Sequence, residues 1–129
     1  MNAKLVLLAD DETHILNVIS LKLRGAGYRV LTARTGQEAL ELAKEHRPDL
    51  LITDFHMPEL SGLELCQALR SQPQLVNMPA ILLTARGYTL EPGDTRDLGI
   101  ARILSKPFSP RKLLGFVLEI LETPSRQVA

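Results

Sequence analysis

The chain has 129 residues, 45% of them hydrophobic, which suits one ordinary domain with a single core and no covalent staples. Lys plus Arg total 15 and Asp plus Glu total 15, so the formal net charge is zero. That balance argues against nucleic acid as the main partner, because binding a phosphate backbone needs a basic excess. The one cysteine, Cys66, rules out an internal disulfide and a zinc cluster, and fits a reducing compartment.

The first apolar run is LVLLA (5–9), cut off by DDE at 10–12. It is too short for a signal peptide or a membrane span, so the protein reads as cytoplasmic, with no membrane contact. A helical pattern from Thr13 to Arg24 carries Ile15, Leu16, Ile19 and Leu23 on one side. YRVLT (28–32) is a weaker strand. TGQE (35–38) has capping-box spacing and opens a second helix with Ala39, Leu42 and Ala43 inward.

LLIT (50–53) is the third strand, and Asp54 stands where it runs out, just before the turn at HMP. SGLE (61–64) is another capping box, followed by Leu65, Cys66 and Leu69 on one helical face. AILLT (80–84) and ARILS (101–105) are the fourth and fifth strands. Between them lies a segment with Pro92 and several glycines where a helix is due. This predicts a short or irregular fourth helix, starting near Pro92 or later. Ser109 as N-cap and Pro110 at the first helical position open the last helix, with Leu113, Leu114, Val117, Leu118 and Leu121 at helical spacing. Residues 1–122 read as one domain, and TPSRQVA (123–129) as a flexible tail or the start of a linker.

Continuous rather than alternating apolarity marks strands covered on both faces. Strand and helix alternate, so the fold class is α/β: a doubly wound five-stranded parallel sheet with helices on both faces. In such sheets the functional crevice lies beyond the carboxyl ends of the strands. Those ends carry Asp10 and Asp11, Asp54, Thr84, and Ser105 with Lys106. Three carboxylates cannot stay ionised together beside a single ammonium. Mg²⁺ compensates them best, with Mn²⁺ an alternative of the same hard class. Metal, ammonium and hydroxyl form a cradle for a phosphoryl group, and Asp54, placed centrally, is the candidate nucleophile.

Taken singly, each residue has a plainer role. Asp10 and Asp11 suit a helix N-terminus, Asp54 a turn, Thr84 a strand end and Lys106 a solvated loop. Their joint placement at strand ends is what favours chemistry. His14, His46 and His56 have no metal-ligand spacing and read as surface or crevice-rim residues.

LLADDE, ITDFHMPELSG, LLTA and SKPF occur in that order, each at a strand end. On these motifs, residues 3–122 resemble a bacterial two-component response-regulator receiver domain. The resemblance implies a flavodoxin-like sheet of order 2-1-3-4-5. It implies that Asp54 accepts a phosphoryl group from a histidine kinase or phosphotransfer protein. Asp11, Asp54 and the His56 backbone carbonyl would bind Mg²⁺ directly, with Asp10 acting through water. Thr84 and Lys106 would bind the phosphoryl oxygens. Output would pass to a downstream protein or an attached domain. Such a module is not a turnover enzyme, though it catalyses its own phosphorylation and slow dephosphorylation.

His56 and Arg86 occupy the positions that tune phosphate lifetime in this family, and their bulk implies slow hydrolysis. Ile103 departs from the family pattern, which has Tyr or Phe there. A stiff, apolar residue at that switch position is expected to stay packed against the last helix. A haloacid-dehalogenase-type phosphohydrolase needs a second Asp where Glu12 stands, and a cap that this chain lacks. A flavodoxin needs a Ser/Thr-rich phosphate loop where DDE would repel the flavin phosphate. A receiver-like module that works without phosphate fits poorly with a complete set of acids, Thr and Lys.

Overall fold

The apolar runs become five parallel strands: β1 (Leu5–Ala9), β2 (Arg29–Ala33), β3 (Leu50–Asp54), β4 (Ala80–Thr84) and β5 (Ile100–Ser105). Their order is β2-β1-β3-β4-β5, as the resemblance implied. In this computed structural model residues 3–85 and 97–122 are described. The irregular helix expected near Pro92, the Arg86 position and the tail 123–129 lie outside the described residues. β2 begins one residue later than expected, because Tyr28 ends the preceding turn by donating its N–H to the Leu23 carbonyl.

Four α-helices are described: α1 (Thr13–Gly25), α2 (Gly36–His46), α3 (Gly62–Arg70) and α4 (Pro110–Glu122). The Ser61 capping box forms in full, with the Glu64 N–H on the Ser61 hydroxyl and the Ser61 N–H on the Glu64 carboxylate. The Thr35 cap forms by half. Its hydroxyl accepts from the Glu38 N–H, but the Glu38 carboxylate takes the N–H of Arg34 instead. Ser109 caps α4 by accepting from the Lys112 N–H. A short 3₁₀ turn, Pro73–Leu75, was not foreseen. The Arg70 guanidinium holds the chain after it, donating to the carbonyls of Val76 and Met78.

Strand alternation sorts the core into two layers. Val6, Leu8, Leu50, Ile52, Ile81, Leu83 and Leu104 face α1 and α4, where they meet Leu16, Ile19, Leu23, Leu113 and Val117. Leu7, Leu51, Ala80, Leu82 and Ile100 face α2 and α3, against Ala39, Ala43, Leu65, Cys66 and Leu69. Fully burying one such leucine is worth about 2 kcal/mol, so both layers hold the sheet that carries the site. Leu118, at helical spacing with Leu114 and Leu121, is 41% exposed.

Ile103 requires a correction. It packs in the α2/α3 layer and not against the last helix, which lies on the opposite face of the sheet. The cause is a bulge in β5. Ala80 pairs with Ile100 but Ile81 pairs with Arg102, so Ala101 is extra and the alternation shifts by one. Ile100 and Ile103 therefore share a face although they are an odd number of residues apart.

Candidate functional site

Parallel strands deliver their last residues to one edge of the sheet. Asp54 ends β3 on the alternation of Leu50 and Ile52, toward the α1/α4 side. Asp10 follows β1 and is fixed twice. Its N–H donates to the Ala33 carbonyl at 3.1 Å, and its Oδ1 accepts from the Glu12 N–H at 2.9 Å. Thr84 ends β4, and its carbonyl accepts the Lys106 N–H at 2.6 Å, which seats the residue after β5. The Lys106–Pro107 peptide bond is cis.

The Lys106 ammonium is the centre of the arrangement. Nζ lies 2.9 Å from Asp10 Oδ2, 3.5 Å from Asp54 Oδ1 and 3.7 Å from Glu12 Oε2. Asp10 is fully buried, Thr84 and Asp54 almost so, and the lysine side chain is only 14% exposed. Asp11 is exposed, and its backbone carbonyl accepts from the Arg34 guanidinium at 3.4 Å. The structure thus brings Asp10, Asp54, Thr84 and Lys106 to one edge, with Asp11 at the rim. His56 is exposed, its ring edge-on to Phe55 at 4.6 Å between centroids. His14 and His46 are exposed as well.

Burial pushes the Asp54 carboxyl up to about 6. The charge of Asp10 adds to this and that of Asp11 adds less, while Lys106 pulls the other way. Burial also raises Asp10, against the Glu12 N–H and the Lys106 ammonium, which favour its charged form. Burial by itself would lower Lys106, but the hydrogen bond to Asp10 and the surrounding negative charge leave it raised. Among the described residues, three carboxylates lie within 3.7 Å of this one ammonium and the Asp11 carboxylate sits beside two of them, a local surplus of negative charge.

Carboxylate oxygens of Asp10, Asp11 and Glu12 lie within 4.8 Å of one another, and the buried Asp54 sits beside them across Lys106. An all-oxygen donor set with excess negative charge fits a hard divalent cation such as Mg²⁺. Glu12 is the member that sequence reasoning missed. It had entered as part of the LLADDE motif and as an argument against two other functions, never as a site residue, yet its adjacency to Asp10 and Asp11 was the available signal.

The loop from Phe55 to Ser61 shapes the other wall. The Phe55 N–H donates to the Leu83 carbonyl at 2.7 Å, and the Gly62 N–H returns to the Phe55 carbonyl at 2.9 Å. Gly62 is required there, since a Cβ would fall 2.4 Å from the Asp54 carbonyl oxygen.

Comparison with known proteins agrees with this geometry. The Response regulator receiver domain family matches residues 6–118. The alkaline phosphatase synthesis transcriptional regulatory protein PhoP of Bacillus subtilis is 38% identical over 121 residues, covering 94% of this chain and 49% of that protein. The phosphate regulon transcriptional regulatory protein PhoB of Pseudomonas aeruginosa is 35% identical over 121 residues, covering 94% of this chain and 53% of that protein. The chain thus spans about half the length of these curated relatives. The chemotaxis response regulator CheY4 of Vibrio cholerae superposes with a TM-score of 0.85 at 35% identity, covering 93% of this chain and all of that one. The receiver domain of a Pseudomonas aeruginosa sensor histidine kinase, solved with a magnesium ion in its active-site cleft, superposes with a TM-score of 0.82 at 27% identity, covering 95% of this chain and all of that one. A sheet of this order, a carboxylate and lysine site at its carboxyl edge and a family match along most of the sequence agree, and the chain belongs to the response regulator receiver domain family.

Proposed function

We propose that Asp54 is the phosphoacceptor, taking a phosphoryl group from the phosphohistidine of a sensor kinase or phosphotransfer protein. The observation that carries this reading is the Lys106 ammonium lying 3.5 Å from the Asp54 carboxylate at the mouth of the parallel sheet. A carboxylate oxygen of Asp54 attacks phosphorus, an acyl phosphate bond forms, and the bond to the donor nitrogen breaks with its electron pair. Lys106 turns from Asp10 and Asp54 toward the incoming phosphoryl oxygens and balances their charge. The Thr84 hydroxyl donates to another of those oxygens.

Asp11, Asp54 and the His56 backbone carbonyl would hold Mg²⁺, with Asp10 acting through water and Glu12 beside them at the rim. When bound, Mg²⁺ supplies positive charge to the carboxylates and to the transferring group. Near-complete burial keeps Asp54 away from bulk water, and the bulky His56 follows it by two residues, which supports slow rather than fast loss of the phosphate. The module thus promotes its own phosphorylation and slow dephosphorylation.

The phosphorylated form signals to a downstream protein or to an attached output domain. PhoP and PhoB, by their names transcriptional regulators, are about twice as long as this chain, which supports the attached-domain case. No described helix is long and apolar enough to cross a membrane, and the reading places the protein in the cytoplasm with its kinase's catalytic part.

Incubation with Mg²⁺ and acetyl phosphate should add the mass of one phosphoryl group to the intact protein, and Asp54→Asn should prevent it. Equal labelling of variant and parent would sink the assignment.

A further inference from the structure

The loop after Asp54 touches α2 as well as the site, and there the contact is backbone on backbone. A Cβ on Gly36, the first residue of α2, would fall 2.3 Å from the Leu60 carbonyl oxygen and 2.7 Å from Leu60 Cβ. Gly62 makes a matching approach to the Asp54 carbonyl oxygen at the other end of the loop. Between these two points the loop is closed on itself. The Gly62 N–H meets the Phe55 carbonyl, the Leu60 N–H meets the Pro58 carbonyl at 2.8 Å, and Glu59 sits at φ 69°. Met57 is buried in the α2/α3 layer. A segment tied at so many points shifts as a unit, because packed groups have little room to deform separately.

Arg34, two residues before Gly36, reaches the opposite wall. Its guanidinium donates to the Asp11 carbonyl, and its N–H donates to Glu38 Oε1 in the first turn of α2. The corner between β2 and α2 therefore touches both the acidic rim and the loop that follows Asp54.

Taking Asp54 as the phosphoacceptor, we propose that this corner, Arg34 to Gly36, is a mechanical readout of the site. A shift of the Asp54 backbone on phosphorylation moves the loop, and Leu60 presses it onto the N-terminus of α2. A shift at Asp11 reaches the same helix through Arg34 and Glu38. Coupling of this kind is reciprocal at equilibrium, so a wedge placed at Gly36 must change the affinity of Asp54 for a phosphoryl mimic.

The test combines backbone amide NMR and intact mass on one sample of the whole chain, with Mg²⁺ and acetyl phosphate. In the phosphorylated parent the amides of residues 35–38 should shift clearly, and in Asp54→Asn they should not. Gly36→Ala should change the equilibrium affinity for the phosphoryl mimic beryllofluoride by about fivefold or more, a coupling of the usual size, and a folded Gly36→Ala protein with parental affinity overturns the Leu60 branch. Arg34→Ala removes an exposed side chain and serves if Gly36→Ala fails to fold; it should diminish the α2 shifts while phosphorylation still goes to completion. A parent that gains the phosphoryl mass with quiet 35–38 amides overturns the readout and leaves the phosphoacceptor intact. Unaltered α2 shifts in Arg34→Ala overturn the Asp11 branch. A parent that gains no mass removes the phosphoacceptor and the readout together.

Discussion

Lys106 Nζ lies 2.9 Å from Asp10 Oδ2, joining the residue after β5 to the residue after β1 across the ends of two intervening strands. Both groups are withdrawn from water, so each depends on the other. Lys106→Met would strand Asp10 and Asp54 without a cation. Breaking a buried pair from one side costs about 3 kcal/mol. Urea denaturation in EDTA should register a loss of that order, together with a sharp fall in labelling by acetyl phosphate. An unchanged urea midpoint would mean that the ammonium is not structurally engaged.

Asp54 sets a pH dependence. Its carboxyl is pushed up to about 6, above the ordinary value of about 4 that it has in the unfolded chain. A raised folded value favours the protonated native state. The contribution is therefore fully present below about pH 4 and is lost as pH rises through about 6. Asp10, also raised, acts in the same direction. Metal-free protein should lose stability between about pH 4 and pH 7, by about 3 kcal/mol from Asp54. Asp54→Asn should flatten the profile and be more stable than the parent at neutral pH without metal. Urea midpoints measured across that range in EDTA decide it, and a parent profile that rises with pH would contradict the assigned cause.

Mg²⁺ binds only the folded arrangement of carboxylates, so millimolar Mg²⁺ should raise the melting temperature of the parent. Asp11→Ala should remove most of that response and relieve repulsion in the metal-free protein. A parent whose melting temperature ignores Mg²⁺ has no metal site in this cluster.

Gly62→Ala should be among the more damaging small changes in the chain. The new Cβ would meet the Asp54 carbonyl oxygen at 2.4 Å, with the Phe55 Cα and Leu82 Cδ1 at 3.1 Å. Backbone atoms cannot rotate aside, so α3 or the end of β3 must shift, at a cost of about 2 kcal/mol. Thermal denaturation should show the loss, and phosphorylation should slow because Asp54 is displaced. Parental values for both would mean that the approach of Gly62 is not a constraint.

Ile103 has its side chain partly buried in the α2/α3 layer, and turning it outward would expose apolar surface for no new bond. Thr84 should therefore shift on phosphorylation while the Ile103 methyl groups stay nearly still. Methyl and amide NMR with a beryllofluoride adduct tests this. A large Ile103 shift with a quiet Thr84 would reverse the assignment.

The sequence alone determined the α/β class, the five strands and most helix starts, for a physical reason. Strands covered on both faces must be apolar throughout, and helix caps need particular side chains at fixed offsets, so both leave local marks. Asp10, Asp11, Asp54, Thr84 and Lys106 were legible for the same reason, each being a polar group placed where an apolar run stops. Tertiary structure decided what local marks cannot carry. The bulge at Ala101 moved Ile103 to the other face of the sheet, because parity along a strand depends on pairing with a neighbour. Lys106 took Asp10 as its closest partner and drew in Glu12, a choice set by distances between loops distant in sequence. Glu38 turned to the Arg34 N–H, leaving one capping box half made, while the identical pattern at Ser61 closed. The backbone contacts of Gly36 with Leu60 and of Gly62 with Asp54 exist only once α2, α3 and β3 pack together, and no spacing in the chain announces them.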